Sequence, residues 1–387
     1  MNLSRDTLRD GRVLMAAPAS SDKGQEPARV PVRGNESGPD TGQGRGNGSG
    51  NGSGGNGTGD NGNGLPWLMI AISGGALSAV FMSALASPSI FSFIMFLLVP
   101  APLFMSGLGF GWRAAAAAAL AALALLAGML GLKAALMHLV MAGLPAAWLS
   151  WLAWQHRPAA GAMEGEPVDD AGREWYPEGR LLLWMAGLAA GGVSLVLLGV
   201  GLSKAEVHDA LRQLAENVMQ ASGLGAQASD EQKKAFLDFF AAAAPLSAAV
   251  MWLLSMFLSW RISGWLVHKM GVGQRPPADF ARLSFPQAAL LLLAGLSLAA
   301  LLPDIFGLLG EVFALTYMAA FVILGIAVVH AWARGKPWEP LALGALYAAL
   351  LMLTGLVAPV LLLLGLAEVG FGIREKMLRG GGSSADD

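Results

Sequence analysis

Apolar residues crowd this chain into long runs separated by short polar interruptions. From Leu65 to Trp154, ninety residues carry two formal charges, Arg113 and Lys133. A helix of about 18 or more apolar residues can cross a bilayer, and this stretch holds about four of them. The pattern resumes after residue 180 and lasts to residue 372. The runs fall at 65–86, 90–109, 112–131, 134–154, 181–202, 241–266, 285–302, 307–332 and 338–372. They predict an all-α, polytopic transmembrane helical bundle of 8–10 spans, with the lipid bilayer as its principal partner. Ser87-Pro88-Ser89 and Gly131-Leu132-Lys133 are short connections that force antiparallel neighbours. Pro100 and Pro102 predict a kink or break in the second run.

The polar stretches divide the chain into three regions. Residues 1–64 end in a Gly/Asn/Ser-rich tract that buries too little apolar surface to offset ordering entropy, so a disordered tail is expected. Its Asn-Gly-Ser and Asn-Gly-Thr triplets at Asn47, Asn51 and Asn56 follow from the repeat itself. Val13 to Pro18 is too short for the apolar core of a signal peptide. Residues 65–372 form the transmembrane domain, and 373–387 a short tail. Within the domain, Gln155 to Arg180 reads as an irregular polar loop. The 203–240 stretch reads differently. Val207, Leu211, Leu214 and Val218 mark one apolar helix face. Ser229 and Gln232 then form a capping box that starts a helix through Phe236, Phe239 and Phe240, with Pro245 as a kink. This predicts helices lying on the membrane surface.

Basic residues set the orientation. Arg157, Arg173 and Arg180, then Arg261, Lys269, Arg275 and Arg282, then Arg334 and Lys336, all fall on one side of a bundle whose N-terminus is cytoplasmic. The connection at Asp304 has no base and falls on the other side. Arg374, Lys376 and Arg379 belong on the basic side, which nine crossings would not allow. A hairpin within 338–372, broken near Thr354-Gly355 or Pro359, restores the parity.

Composition narrows the chemistry. The chain is 55% hydrophobic and 13% charged with a net charge of −2, which argues against nucleic-acid binding. It has no cysteine, so disulfides, thiolate metal sites and thiol nucleophiles are excluded. No Gly-Lys-Ser/Thr phosphate loop and no His-Glu-x-x-His pair occurs. Gly295-Leu296-Ser297 continues as Leu298, unlike the Gly-x-Ser-Gly setting of an intramembrane serine protease. A non-enzymatic protein without cofactor or metal is expected.

Ionisable residues within spans are functional candidates because they are costly there. His138 lies in the fourth run, as a ligand or proton site or as a partner for a neighbouring backbone. Glu311, Thr316 and Tyr317 could share a polar pocket, or Glu311 could sit at the interface in water. His330 lies beside Arg334, an interfacial position. Glu368 near the last run's end would pair with Arg374 or Lys376. Gly75, Ala79 and Ser83, and Gly187 and Gly191, recur at steps of four and make small-residue faces for helix packing or a partner.

Gly325-Ile326-Ala327-Val328-Val329-His330-Ala331-Trp332, followed by Ala333-Arg334-Gly335-Lys336, resembles a late stretch of the DUF2232 bacterial membrane proteins. Leu364-Gly365-Leu366-Ala367-Glu368 with Phe371-Gly372-Ile373-Arg374 is similar to the family's closing segment. Gly74 to Ala79 with Pro100 to Phe104 fits its first helix pair. The resemblance spans about 65–376 and takes in YybS-like proteins. Part of that family looks like the substrate-binding S components of energy-coupling factor vitamin transporters. The resemblance implies a helical protein of the bacterial inner membrane, with a small-molecule ligand or a membrane protein partner. In S components a small-residue face on the first helix docks the coupling subunit. This chain departs from that plan by its larger number of runs and its added surface helices. Two alternatives stand beside it: a scaffold in an envelope assembly that docks through 203–240, and a secondary transporter, which the scarcity of acids in the spans disfavours. A polar cavity behind the outer loops would favour solute binding, and a solid core the scaffold.

Overall fold

The computed structural model describes residues 64–84, 89–158, 173–222, 229–273, 275–277, 279–374 and 376. The expected tail over 1–63, its Asn triplets, Ser87-Pro88, the interior of the 155–180 loop and Arg379 lie outside them. Every apolar run is helical. They are α1 (Gly64–Ser83), α2 (Ile90–Leu97), α3 (Ala101–Phe110), α4 (Trp112–Met129), α5 (Leu132–His138) and α6 (Leu144–Ala153). Further on come α7 (Glu178–Val200), α8 (Lys204–Ser222), α9 (Asp230–Lys269), α10 (Ala288–Ala299), α11 (Asp304–Ala333), α12 (Glu339–Met352) and α13 (Thr354–Phe371). Among the described residues, seven helical runs are long and apolar enough to cross a membrane: 90–110, 112–129, 132–153, 178–200, 230–269, 304–333 and 354–371. Three shorter apolar helices, 67–83, 288–299 and 339–352, accompany them.

Prolines and glycines punctuate the bundle. The second run breaks at Leu98–Pro100, as its two prolines require. Gly111 at φ 89° and Gly131 at φ 88° each turn the chain in a single residue, a backbone that disfavours any side chain. The fourth run stays helical but carries a five-residue π segment, Leu139–Gly143. Pro145 explains it: the ring has no N–H to give to the carbonyl of Met141, four residues back. The indole of Trp252 donates to that carbonyl instead, at 2.9 Å.

Contacts at the helix ends fix which connections share a face. Arg275 donates to Ala153 O at 3.2 Å and Tyr176 O at 2.9 Å. Arg261 pairs with Glu178 at 3.3 Å, and Arg334 with Asp279 at 2.5 Å. Arg374 donates to Ala281 O and Leu283 O, each at 2.6 Å. The Trp154 indole reaches Gly107 O at 2.9 Å. The ends of α3, α6, α11 and α13 and the start of α7 therefore gather on one face, here called the basic face. On the opposite face Lys204 pairs with Glu311 at 3.0 Å, and its backbone N–H donates to Asp304 at 2.6 Å. The three basic connections and the chain's end thus share a face, as the arginine pattern predicts. The hairpin expectation holds too: α12 leaves the basic face and α13 returns to it. The break falls at Leu353, one residue before Thr354, and α13 runs unbroken through Pro359.

Close approach is built from small residues. A Cβ on Gly75 would stand 2.8 Å from the Ala121 methyl and overlap the Ala118 carbonyl, so α1 lies directly on α4. Gly325 of α11 and Gly365 of α13 face each other's helix in the same way: a Cβ on either would overlap a carbonyl of the other, Leu361 or Phe321. The main core joins Leu103, Phe104, Leu149, Met185, Leu253, Met256, Phe321 and Leu324, all sealed from the surroundings.

One expectation is corrected. The 155–180 loop is not irregular throughout: His156–Pro158 pairs antiparallel with Arg173–Trp175, and Arg157 bonds Glu174 at 2.8 Å across the pair. The apolar face of α8 is present, and the rest of the protein covers only part of it. Val207 is sealed, but Leu214 and Val218 are each 51% exposed. The buried seam runs instead through Val207 and Ala215, where α8 meets its neighbours. The Ser229–Gln232 capping box is present and begins α9.

Candidate functional site

The break in the second run creates a polar centre inside the bundle. Leu97 and Val99 at the break and Ala101 at the start of α3 turn their carbonyls toward it. The hydroxyls of Ser255 and Ser259 both donate to Leu97 O at 3.0 Å, and that of Ser263 donates to Ala101 O at 2.9 Å. These three serines recur every four residues along α9, so one face of that helix caps the broken one. From the other side Ser78 of α1 donates to Val99 O at 2.7 Å.

His138 joins this centre. Its Nε2 lies 3.3 Å from the Ser78 hydroxyl, and the residue is 2% exposed. Ser78 has one proton, already given to Val99 O, so its oxygen can only accept from the imidazole. The ring proton therefore sits on Nε2, leaving Nδ1 a bare lone pair. Among the described residues that buried Nδ1 has no hydrogen-bond partner. Ser150 and Ser194 likewise have buried hydroxyls without a partner. His138 ends α5 where the π segment begins, and such segments often mark functional sites. The chemistry here is hydrogen-bond acceptance by a neutral imidazole in a dry setting.

The remaining candidates are placed apart from it. Glu311 stands at the face opposite the basic one with its carboxylate on Lys204. Thr316 is sealed and donates back to Val312 O at 2.6 Å. Tyr317 packs over α7, its hydroxyl oxygen 3.0 Å from where a Cβ on Gly187 would be, and Phe313 lies over Gly191. Among the described residues Glu311, Thr316 and Tyr317 share no hydrogen bond. Gly75 and Ala79 are used against α4 and its surroundings, and Ser83 donates back to Ala79 O. His330 donates from Nδ1 to Ile326 O at 3.0 Å and lies against the Phe280 and Tyr347 rings. Glu368 pairs with Arg374 at 2.7 Å.

Sequence reasoning singled out His138 but missed Ser78 and the serine face of α9. Serine is common in spans, and only its spacing of four on residues 255, 259 and 263 signalled a shared role. On the basic face, hydrogen bonds from Arg334 hold the Asp279 carboxyl down to about 2, with Arg282 adding to the effect. The same pairing raises the Arg334 pKa.

Long apolar helices with charges gathered at the ends of the bundle define a multi-pass helical membrane protein. Residues 76–369 match the family model described as "Predicted membrane protein (DUF2232)", and the chain belongs to that family. No curated protein and no solved structure matches the chain.

Proposed function

We propose that the protein acts by binding and not by catalysis, as an interaction scaffold whose docking element is the hairpin of α8 and the first turns of α9. The packing beneath that hairpin carries this reading. Behind the face bearing Lys204 and Asp304, Ala190, Val193, Leu197, Val207, Ala249, Ile305, Leu308 and Val312 form a continuous apolar core. A solute site opening to that face would need polar groups converging on a cavity, and the buried residues of this cluster are all apolar. The hairpin above, tied together by Arg212 and Asp238 at 3.3 Å, keeps large apolar groups uncovered. Leu214, Val218, Phe236 and Phe239 are all exposed. Such groups call for a cover. The positive-inside rule puts the basic face in the cytoplasm of a bacterial inner membrane. The hairpin then faces the envelope side, where the cover would be a second membrane or envelope protein.

A photo-crosslinking residue at Leu214 or Phe239 in native membranes tests this. The expected result is one discrete protein adduct, abolished by Val218→Asp while the bundle still inserts. Adducts with lipid alone, or an adduct indifferent to Val218→Asp, would overturn the scaffold reading.

A second reading is binding of a small solute through the bundle's core, and the unpartnered Nδ1 of His138 favours it. The solute would be a hydrogen-bond donor reaching the lone pair beside Ser78. Thermal stabilisation of the purified protein by a donor-bearing metabolite, lost in His138→Leu, is the expected signature. Equal stabilisation of the variant would remove it.

A further inference from the structure

A cavity of about 110 Å³ opens at the basic face between α3, α6, α9 and the connection after α9. Its walls include Trp154, Trp260, Trp265, Arg261, Arg275 and Glu178. The volume is far below the roughly 300 Å³ at which drug-sized ligand pockets begin, so a small group must be the occupant.

Charge identifies that group. Glu178 is the one acid on these walls, and it is engaged by Arg261 at 3.3 Å. Arg275 has no carboxylate partner among the described residues. Its two bonds go to the carbonyls of Ala153 and Tyr176, which orient the guanidinium but do not neutralise it. Two guanidinium charges against one carboxylate leave the cavity with one net positive charge. Burial pulls the Arg275 pKa down, and Glu178 works against that shift. An arginine nevertheless keeps its proton in a protein. A half-buried cation that shares its one nearby carboxylate with a second guanidinium is unfavourable, and a bound anion would relieve it.

Depth narrows the anion further. Trp260 and Trp265 lie on the last turns of α9, and Trp265 is 57% exposed. Tryptophans at such helix ends mark the level of lipid headgroups. Lys269 stands over the Trp265 ring at 5.8 Å and adds positive potential at the mouth. Guanidinium forks match phosphate oxygens in pairs, and Arg275 has three further N–H donors beyond the two it has committed.

We propose that this cavity binds a phosphate group, with Arg275 as its recognising residue and the tryptophans as walls at headgroup depth. The phosphate of an anionic lipid and free phosphate share that chemistry. Full-chain protein would be reconstituted in phosphatidylcholine vesicles with or without phosphatidylglycerol, and separately titrated with inorganic phosphate in detergent. Thermal stability and lipid retention in native mass spectrometry are the readouts. The proposal expects stabilisation by phosphatidylglycerol or by phosphate. The first result assigns the site to a lipid and the second to a soluble anion. Arg275→Gln should weaken the effect at least about tenfold, the loss expected for a hydrogen-bonded charge pair. Arg157→Gln, a basic residue on the same face but in the strand pair, should leave it intact. Equal weakening by both variants would mean general surface charge and overturn the site. So would the absence of any effect in the wild type. Arg275 also ties α6 to α7, so its variant could fail to fold. A photoactivatable phosphatidylglycerol on the wild-type protein covers that case: labelling should map to residues 260–277, and labelling elsewhere only would overturn the proposal.

Discussion

At the scale of single residues, the intramembrane centre makes a prediction opposite to what size suggests. Ser78 both caps Val99 O and accepts from His138. Ser78→Ala removes few atoms yet leaves a carbonyl and an imidazole N–H buried without partners. It should cost about 1–3 kcal/mol in thermal unfolding. His138→Leu removes a ring whose Nδ1 is already unpartnered and leaves Ser78 its bond to Val99 O. It should be neutral to stabilising, within about 1 kcal/mol. If His138→Leu proves the more damaging, the histidine has a partner this geometry lacks. Asp279 supplies a pH prediction. Its folded pKa is depressed to about 2 from the ordinary 3.8, so its contribution is complete above that ordinary value. It is lost as pH falls from about 4 toward about 2. Thermal scans across that window should show a drop in the wild type that Asp279→Asn lacks. His138 was legible because a titratable group in an apolar run stands out. Ser78 was not, because its importance comes from a carbonyl twenty-one residues away that only the helix break exposes.

At the scale of elements, the apolar runs gave the helices, while their exact stops depended on packing and local chemistry. The second run broke where proline removes donors, and the hairpin within 338–372 broke at Leu353, which has no special backbone requirement of its own. The pairing of α11 with α13 explains why the hairpin is held. Gly325 and Gly365 let the two backbones touch. Gly365→Val should pry α13 from α11 and destabilise the bundle by about 1–3 kcal/mol, the usual range for overpacking. Limited proteolysis between α12 and α13 should rise with it, and an unchanged profile would show that the hairpin is held elsewhere. The apolar side of α9 shows the limit of periodicity. Phe236, Phe239, Leu254, Leu258 and Trp265 are exposed along one side of the helix. At 1.5 Å per residue that stripe is about 44 Å long, against about 30 Å of hydrocarbon. Its first turns therefore stand beyond the acyl chains, where periodicity alone cannot say what meets them. The exposed Leu214 and Val218 of α8 raise the same question, and the docking proposal answers it.

At the scale of the whole molecule, the arrangement of charges and the path of the chain constrain each other. The chain traverses the bundle through α1, α2 with α3, α4, α5 with α6, α7, α9, α10, α11, α12 and α13, ten traverses among the described residues, seven of them long and apolar enough to cross a membrane. An even number returns the chain to the face it started from. Met69 and Ile70 near the start of α1 share a groove with Phe110 and Met270, so α1 begins at the basic face. At the other end Arg374 is bonded to Glu368, Ala281 O and Leu283 O, which holds the close of α13 to the same face. The short traverses are α10 and α12, whose 12 and 14 residues reach only about 18 and 21 Å. The return of α13, pinned by Arg374, requires that α12 run away from the basic face. A reporter fused after Asp387 should therefore give the same sidedness as one fused before Met1. Arg374→Glu would set a carboxylate against Glu368 and the Ala281 and Leu283 carbonyls. It should loosen the end of α13 and raise hydrogen exchange over 281–283 without changing the sidedness, because the parity is set by the apolar runs. Opposite sidedness of the two reporters in the wild-type protein would mean that α12 and α13 do not form a returning pair.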